Sequence, residues 1–147
     1  MKYLIILFLI INSNAQVLHP VKWQYGLKKL STDTYELHFK ATIDKPWHIY
    51  SQKQPEDAIA PPTTFYFNKM PEVEFIAVPR EVGNLVVWQD KSAGISQNEY
   101  ENQVEFVQKI KIKSFGNTTI TGHLSFQACS DHRCLQPEDV SFQIPVK

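Results

Sequence analysis

The sequence is poor in cysteine and glycine and has no excess of charge of either sign. Its 147 residues include two cysteines and five glycines, and fifteen basic side chains balance fifteen acidic ones. A balanced charge disfavours a basic nucleic-acid surface and a polybasic membrane patch. The sequence contains no glycine-rich phosphate loop, G-x-S-x-G elbow, HExxH or C-x-x-C motif, which argues against the enzyme classes that depend on them.

Only one long hydrophobic run is present, and it lies at the N-terminus. Tyr3–Ile11 is continuously apolar, and the small residues Ser13 and Ala15 follow it. This pattern predicts a secretory signal peptide over residues 1–15 and a mature domain over residues 16–147. The run is too short for a stop-transfer span, and no later stretch could cross a bilayer. We therefore expect a periplasmic or otherwise exported protein in an oxidising compartment, with no membrane insertion after cleavage.

The mature region alternates between apolar and polar residues, as half-buried strands do. Tyr35–Ile43 shows the cleanest alternation, and no stretch of ten residues has a convincing helical period. The pattern predicts an all-β fold, an immunoglobulin-like antiparallel β-sandwich of about eight or nine strands in one domain. The other predicted strands are Val21–Tyr25, Trp47–Tyr50, Thr63–Phe67, Val73–Val78, Leu85–Trp88, Val104–Lys113, Thr118–Phe126 and Val140–Val146.

Three segments lack this alternation. Ser51–Pro62 contains three prolines and several charges, which predicts a loop. Pro79–Gly83 predicts a break between two short strands, and the polar segment Asp90–Gln103 predicts a long loop.

Both cysteines lie in the segment Phe126–Pro137, which reads FQACSDHRCLQP. Four polar residues separate Cys129 from Cys134, and strand-like segments flank them. Facing residues of an antiparallel hairpin are about 4.5–5.5 Å apart at Cα, and disulfides need about 4.4–6.8 Å. The spacing therefore predicts a Cys129–Cys134 disulfide.

This disulfide can be interpreted in two ways from the residues alone. As a structural staple, a loop of about six residues would contribute roughly 2 kcal/mol. As a redox-active pair, it would lie near the surface, where a partner thiolate could attack it. His132 and Arg133 would then favour a thiolate, and Asp131 would oppose it.

A metal site is a third reading of the same segment. It would use Cys129, His132 and Cys134, with His123 as the fourth ligand. Structural zinc sites usually have a second pair of ligands far along the chain, and the sequence has none. We therefore expect no metal.

The segment F-Q-A-C-S-D-H-R-C-L-Q-P-E-D-V-S-F-Q-I-P resembles the N-terminal periplasmic domain of the thiol:disulfide interchange protein DsbD family, a disulfide bond corrector-type domain. Asp44–Tyr50 resembles the turn that leads into an aromatic-rich strand beside the family's active site. Tyr100–Ile112 resembles the strand that follows its capping loop. The resemblance extends over the whole of Gln16–Lys147.

The resemblance implies an immunoglobulin-like sandwich with a redox-active cysteine pair and no cofactor. Cys134 would form mixed disulfides, Cys129 would resolve them, and Tyr50 would lie beside the pair. A loop corresponding to Trp88–Glu99 would cap the disulfide until a partner displaces it. The candidate capping residues are Trp88, Asp90 and Ile95.

The resemblance also implies partners. Such a domain passes reducing equivalents to or from thioredoxin-like periplasmic proteins, as a protein-disulfide reductase component in electron transfer. The family's membrane segment and thioredoxin-like domain are missing from this sequence, so the electron donor would be a separate membrane thiol reductase. The alternative function is a non-enzymatic exported sandwich that binds a protein or a glycan, with a purely structural disulfide.

Overall fold

The computed structural model describes residues 17–114 and 116–147, so the predicted signal peptide lies outside the described residues. These residues form nine strands and no helix, which confirms the all-β prediction. In particular, the described part of the chain has no apolar helix of the length that a membrane span requires. The strands are β1 (Val21–Lys29), β2 (Thr34–Ile43), β3 (His48–Tyr50), β4 (Thr64–Phe67), β5 (Val73–Asp90), β6 (Ile95–Ile112), β7 (Thr118–Phe126), β8 (Ala128–Cys129) and β9 (Glu138–Val146).

The strands form two antiparallel sheets, which confirms the predicted immunoglobulin-like sandwich. The larger sheet has six strands in the order β1-β2-β6-β3-β8, and β5 pairs with β6 as well. The smaller sheet has the order β4-β7-β9. Because β6 is long, β2 and β3 pair with successive parts of it.

The core lies between the sheets and is rich in aromatic rings. The alternation along β2 buries Leu37 and Phe39 completely. The Phe39 ring lies 4.8 Å from the ring of Phe142 on β9 and 5.1 Å from that of Phe65 on β4, measured between centroids. These contacts join the two sheets, as the apolar alternation predicts.

The prediction of a loop over Asp90–Gln103 is wrong. Residues Lys91–Gly94 form a tight turn, and β6 begins at Ile95. The Asp90 carboxylate accepts hydrogen bonds from the backbone N–H groups of Ser92 and Ala93, and Gly94 has a φ of 68°. The polar residues that follow form a strand because β5 and β3 pair with it on both sides and satisfy its backbone.

The predicted break at Pro79–Gly83 is also wrong, because β5 continues through it as one strand of 18 residues. The pairing with β6 shifts register between Ile76 and Arg80 and again between Gly83 and Leu85. Among the described strands β5 pairs only with β6, so a proline at an irregularity of this strand removes no bond of a central ladder.

The carboxylate of Glu81 connects three elements of the larger sheet. It accepts hydrogen bonds from the Ser51 hydroxyl at 2.8 Å, the Gln52 backbone N–H at 2.6 Å and the Tyr100 hydroxyl at 2.7 Å. Ser51 follows β3, Tyr100 lies in β6, and both are buried. One carboxylate therefore holds β5 against the end of β3 and the middle of β6.

Replacing Glu81 with alanine is expected to lower the free energy of unfolding by about 2–3 kcal/mol, because two buried hydroxyl groups lose their acceptor. Urea unfolding followed by tryptophan fluorescence measures this change. Glu74→Ala is the matched control, since it removes an exposed carboxylate from the same strand. It should change stability by less than about 1 kcal/mol. An equally small loss for Glu81→Ala would contradict the role given to this carboxylate.

Candidate functional site

The predicted disulfide is present, between Cys129 in β8 and Cys134 in the segment that follows. The two Cα atoms are 4.0 Å apart, slightly less than the expected range. The loop between them is closed by a hydrogen bond from the Ser130 N–H to the Arg133 carbonyl at 2.8 Å. Cys129 is only 1% exposed, whereas Cys134 is exposed to solvent. The two sulfur-bearing residues thus differ sharply in their access to a partner.

A cavity of about 400 Å³ lies against the disulfide. It is lined by residues from four strands of the larger sheet, from the segment between β3 and β4, and from the cysteine loop. Those that matter for the chemistry are His48, Tyr50, Trp88, Glu99, Cys129 and Cys134.

The register of β3 explains why these side chains meet. His48 lies opposite Cys129 of β8 on one side and opposite Glu101 of β6 on the other. Two residues further along, Tyr50 lies opposite Glu99. Facing residues in a ladder, and residues two apart in a strand, point to the same face of the sheet. One face of the sheet therefore carries the side chains of His48, Tyr50, Glu99, Glu101 and Cys129.

Buried ionisable groups form the floor of the cavity. The His48 imidazole Nε2 lies 3.1 Å from a Glu99 carboxylate oxygen and 3.2 Å from the Tyr50 hydroxyl. His48 is 8% exposed and Glu99 is 4% exposed. These three residues form a connected polar group on the face of the sheet opposite to Ile49 and Tyr100, which belong to the apolar core.

Burial shifts the pKa of each of these groups toward its neutral form. Desolvation, aided by the charges of Glu101 and Asp131, raises the pKa of Glu99 to about 7. Desolvation lowers the pKa of His48, although the same two carboxylates oppose that shift. It also raises the pKa of Tyr50 to about 12. Glu99 consequently exchanges its proton near neutral pH.

The structure brings some of the predicted site residues together and separates others. Tyr50, Trp88 and Asp131 line the cavity with both cysteines. The remaining four do not line it: His132, Arg133, Asp90 and Ile95.

These four residues lie in two other places. His132 and Arg133 are exposed in the cysteine loop, where the Arg133 guanidinium lies 5.6 Å from the centroid of the Trp47 ring. Asp90 and Ile95 flank the β5–β6 turn and line a separate cavity there. The predicted capping segment Trp88–Glu99 is thus the end of a β-hairpin and not a loop.

The ligand set considered for a metal is not assembled. Cys129 and Cys134 are bonded to each other, and the His123 ring stacks on Tyr66 of β4 at 4.6 Å. Across residues 17–114 and 116–147, no group of three or more histidine, cysteine or acidic side chains is placed to hold a metal ion.

Sequence reasoning did not select His48 or Glu99 as site residues. No local sequence signal marks Glu99 as a buried site residue, because residues 96–103 are polar on both strand faces except for Tyr100.

The fold and the site define a class of protein: an immunoglobulin-like sandwich with a disulfide at a surface cavity that contains buried acid–base groups. A model of the family "Thiol:disulfide interchange protein DsbD, N-terminal" matches residues 15–145. The chain belongs to this family, as its cysteine motif predicted. No curated protein sequence matches it significantly.

Two solved structures share the fold at low sequence identity. The N-terminal periplasmic domain of ScsB from Proteus mirabilis has a TM-score of 0.58 and 16% identity, over 84% of this chain and 45% of that one. The chain thus spans less than half of that relative. The GAE domain of yeast GGA1 has a TM-score of 0.53 and 10% identity, over 89% and 96%. The reduced N-terminal domain of DsbD from Neisseria meningitidis has a TM-score of 0.41 and 18% identity, over 84% and 85%.

The raised pKa of Glu99 predicts a pH-dependent stability. Between its ordinary value of 4.5 and about 7 the folded protein binds more protons at this site than the unfolded chain, so its contribution makes the free energy of unfolding fall as pH rises. The variant Glu99→Gln lacks this fall, and we expect it to gain stability relative to the parent protein across that window. Urea unfolding at a series of pH values measures the difference.

Glu101→Gln is the matched comparison, because it neutralises an exposed carboxylate on the same face of β6. It should narrow the pH window of the fall without abolishing it, since the Glu101 charge raises the pKa of Glu99. A stability difference between Glu99→Gln and the parent that stays constant with pH would contradict the assignment.

Proposed function

We propose that the protein is a periplasmic thiol–disulfide interchange domain that cycles between the Cys129–Cys134 disulfide and the dithiol. It passes reducing equivalents to or from thioredoxin-like partners and needs no cofactor. The observation that carries this proposal is the asymmetry of the pair, an exposed Cys134 bonded to a buried Cys129. Family membership and the signal-like N-terminus support the same function and the exported location.

The asymmetry assigns an order to the exchange reaction. A partner thiolate attacks the accessible Cys134 sulfur, the Cys129–Cys134 bond breaks, and Cys129 leaves with the electron pair. The partner's second thiolate then attacks its own sulfur in the mixed disulfide and releases Cys134. The partner dithiol is oxidised to a disulfide, and this domain gains two electrons and two protons. The reverse sequence reduces an oxidised partner.

A purely structural bridge explains the site less well. The closed loop is short, with a sequence separation of 5, so the bridge contributes only about 2 kcal/mol through chain entropy. The sandwich already has a continuous apolar core that extends through both sheets. A staple would also have no need for an exposed cysteine beside a polar cavity.

Trp88 is the residue we propose as the cap. Its side chain lines the disulfide cavity and is nevertheless 42% exposed, so it lies at the boundary between cavity and solvent. Val86 and Val87 beside it are exposed as well. An exposed apolar surface next to the reactive bond suits docking of a partner that displaces the indole ring.

The reduction potential of the disulfide tests the function directly. We expect a value between about −180 and −270 mV, where several exchange proteins lie, with the fold unchanged in the dithiol form. Equilibration of the purified protein in graded thiol–disulfide buffers, with thiol trapping as the readout and circular dichroism of both forms, measures it. A potential below about −300 mV, or unfolding on reduction, would favour a structural bridge in a binding domain.

If Trp88 caps the disulfide, the variant Trp88→Ala exposes the disulfide to small thiols. We expect dithiothreitol to reduce this variant several-fold faster than the parent protein in a stopped-flow experiment, because the indole no longer covers the cavity. Val87→Ala is the control: it removes a neighbouring exposed side chain that does not line the cavity. Equal rates for all three proteins would remove Trp88 from the role of cap.

A further inference from the structure

Two ionisable side chains, His48 and Glu99, are buried together beside the disulfide. Burying such a pair costs folding free energy that apolar side chains would not cost. Ionisable groups kept in a cavity at a reactive bond are candidates for chemical roles.

The buried position of Cys129 creates a need for a proton acceptor. Only the thiolate is a nucleophile, and an ordinary thiol, with a pKa of about 8.5, is mostly protonated at neutral pH. Cys129 is 1% exposed. Resolution of a mixed disulfide on Cys134 requires that the proton of its thiol leave, and bulk water has little access to it.

We propose that the Glu99 carboxylate, held against the His48 imidazole, accepts the proton of the Cys129 thiol when the mixed disulfide is resolved and returns it when the disulfide is opened. This role depends on the interchange function proposed above. In resolution, the S–H bond of Cys129 breaks, its sulfur bonds to Cys134, and the partner leaves as a thiolate. In opening, Cys129 departs with the bonding electron pair and takes the proton back.

The geometry gives the proton a short path. His48 is the direct register partner of Cys129, and facing side chains in a ladder have Cβ atoms about 4.5–5.5 Å apart. The same imidazole contacts Glu99 at 3.1 Å. The path therefore runs from the sulfur along the imidazole to the carboxylate, on one face of three adjacent strands.

The groups around Glu99 raise its pKa toward the range in which it can exchange a proton with the thiol. The titratable groups that face it are His48 and Tyr50 from β3, Glu101 from its own strand and Asp131 from the cysteine loop. From β5, only the uncharged Trp88 reaches the cavity. Burial and the two carboxylates keep the proton affinity of Glu99 near neutrality, where a general acid–base group works best.

The reactions of the two cysteines can be distinguished as two kinetic phases of a single experiment. The reduced protein is mixed with excess 5,5′-dithiobis(2-nitrobenzoate), and release of the coloured thiolate is followed by stopped flow. The first phase is attack by exposed Cys134, and its rate rises with reagent concentration. The second phase is attack by Cys129 on the mixed disulfide, and its rate is independent of concentration.

In the parent protein we expect the second-phase rate to rise with pH through a midpoint near 7, as the Glu99 carboxylate forms. Glu99→Gln should lose this rise with pH. At pH values above the midpoint its second-phase rate should be lower by at least about tenfold, since positioned bases contribute about 10²–10⁴-fold. Its first phase should stay unchanged. Glu101→Gln should keep the pH-dependent rise but move its midpoint to lower pH, because the Glu101 charge raises the pKa of Glu99. His48→Gln should share the slow second phase.

Two results would overturn the proposal. The first is a second phase in Glu99→Gln that is as fast as in the parent protein or faster. This is the outcome expected if the carboxylate acts only through its charge, which would raise the pKa of the Cys129 thiol. The second is a second-phase rate in the parent protein that does not rise through a midpoint near pH 7. This test requires no variant. A low reduction potential with a folded dithiol would reject the interchange function while leaving both phases measurable, so the two failures are distinguishable.

Discussion

The pairing of the three-residue strand β3 with both β6 and β8 is the constraint on which the site depends. β8 contains only Ala128 and Cys129, and its ladder contact to β3 is what attaches the first cysteine to the larger sheet. Because all three residues of β3 are buried, the strand cannot slip without placing His48 and Tyr50 on the opposite face. The position of the disulfide relative to its polar neighbours is therefore set by backbone pairing, and the loop between the cysteines contributes little to it.

The sandwich keeps its reactive bond and its polar groups in one place. Its apolar core is formed by Phe39, Phe142 and their neighbours between the sheets. The cavity, in contrast, brings together a buried histidine, glutamic acid and tyrosine on the other face of the larger sheet. In such surroundings charges interact strongly and each group is sensitive to its neighbours. Opening or closing the disulfide changes the charge on sulfur, so these groups respond to the redox state as well as to pH.

Local sequence predicted those parts of the fold in which burial and alternation coincide. The alternation of Tyr35–Ile43 identified the central strand, and the spacing of the two cysteines identified their bond. The first half of β6 could not be predicted in this way, because its residues are polar and become a strand only by pairing on both sides. Glu99 was missed for the same reason. Its burial comes from β3, which is distant in sequence, and from β5 across the hairpin turn, and no local pattern reports that.

The irregular course of β5 has a consequence for solubility. An 18-residue strand with one edge that pairs with no described strand, and with exposed valines such as Val78 and Val82, is a template on which other chains could assemble into intermolecular sheets. Pro79 offers no N–H to an incoming strand, and the two register shifts divide the edge into short pieces. The interruptions that look like strand breaks in the sequence thus disfavour intermolecular pairing along this edge.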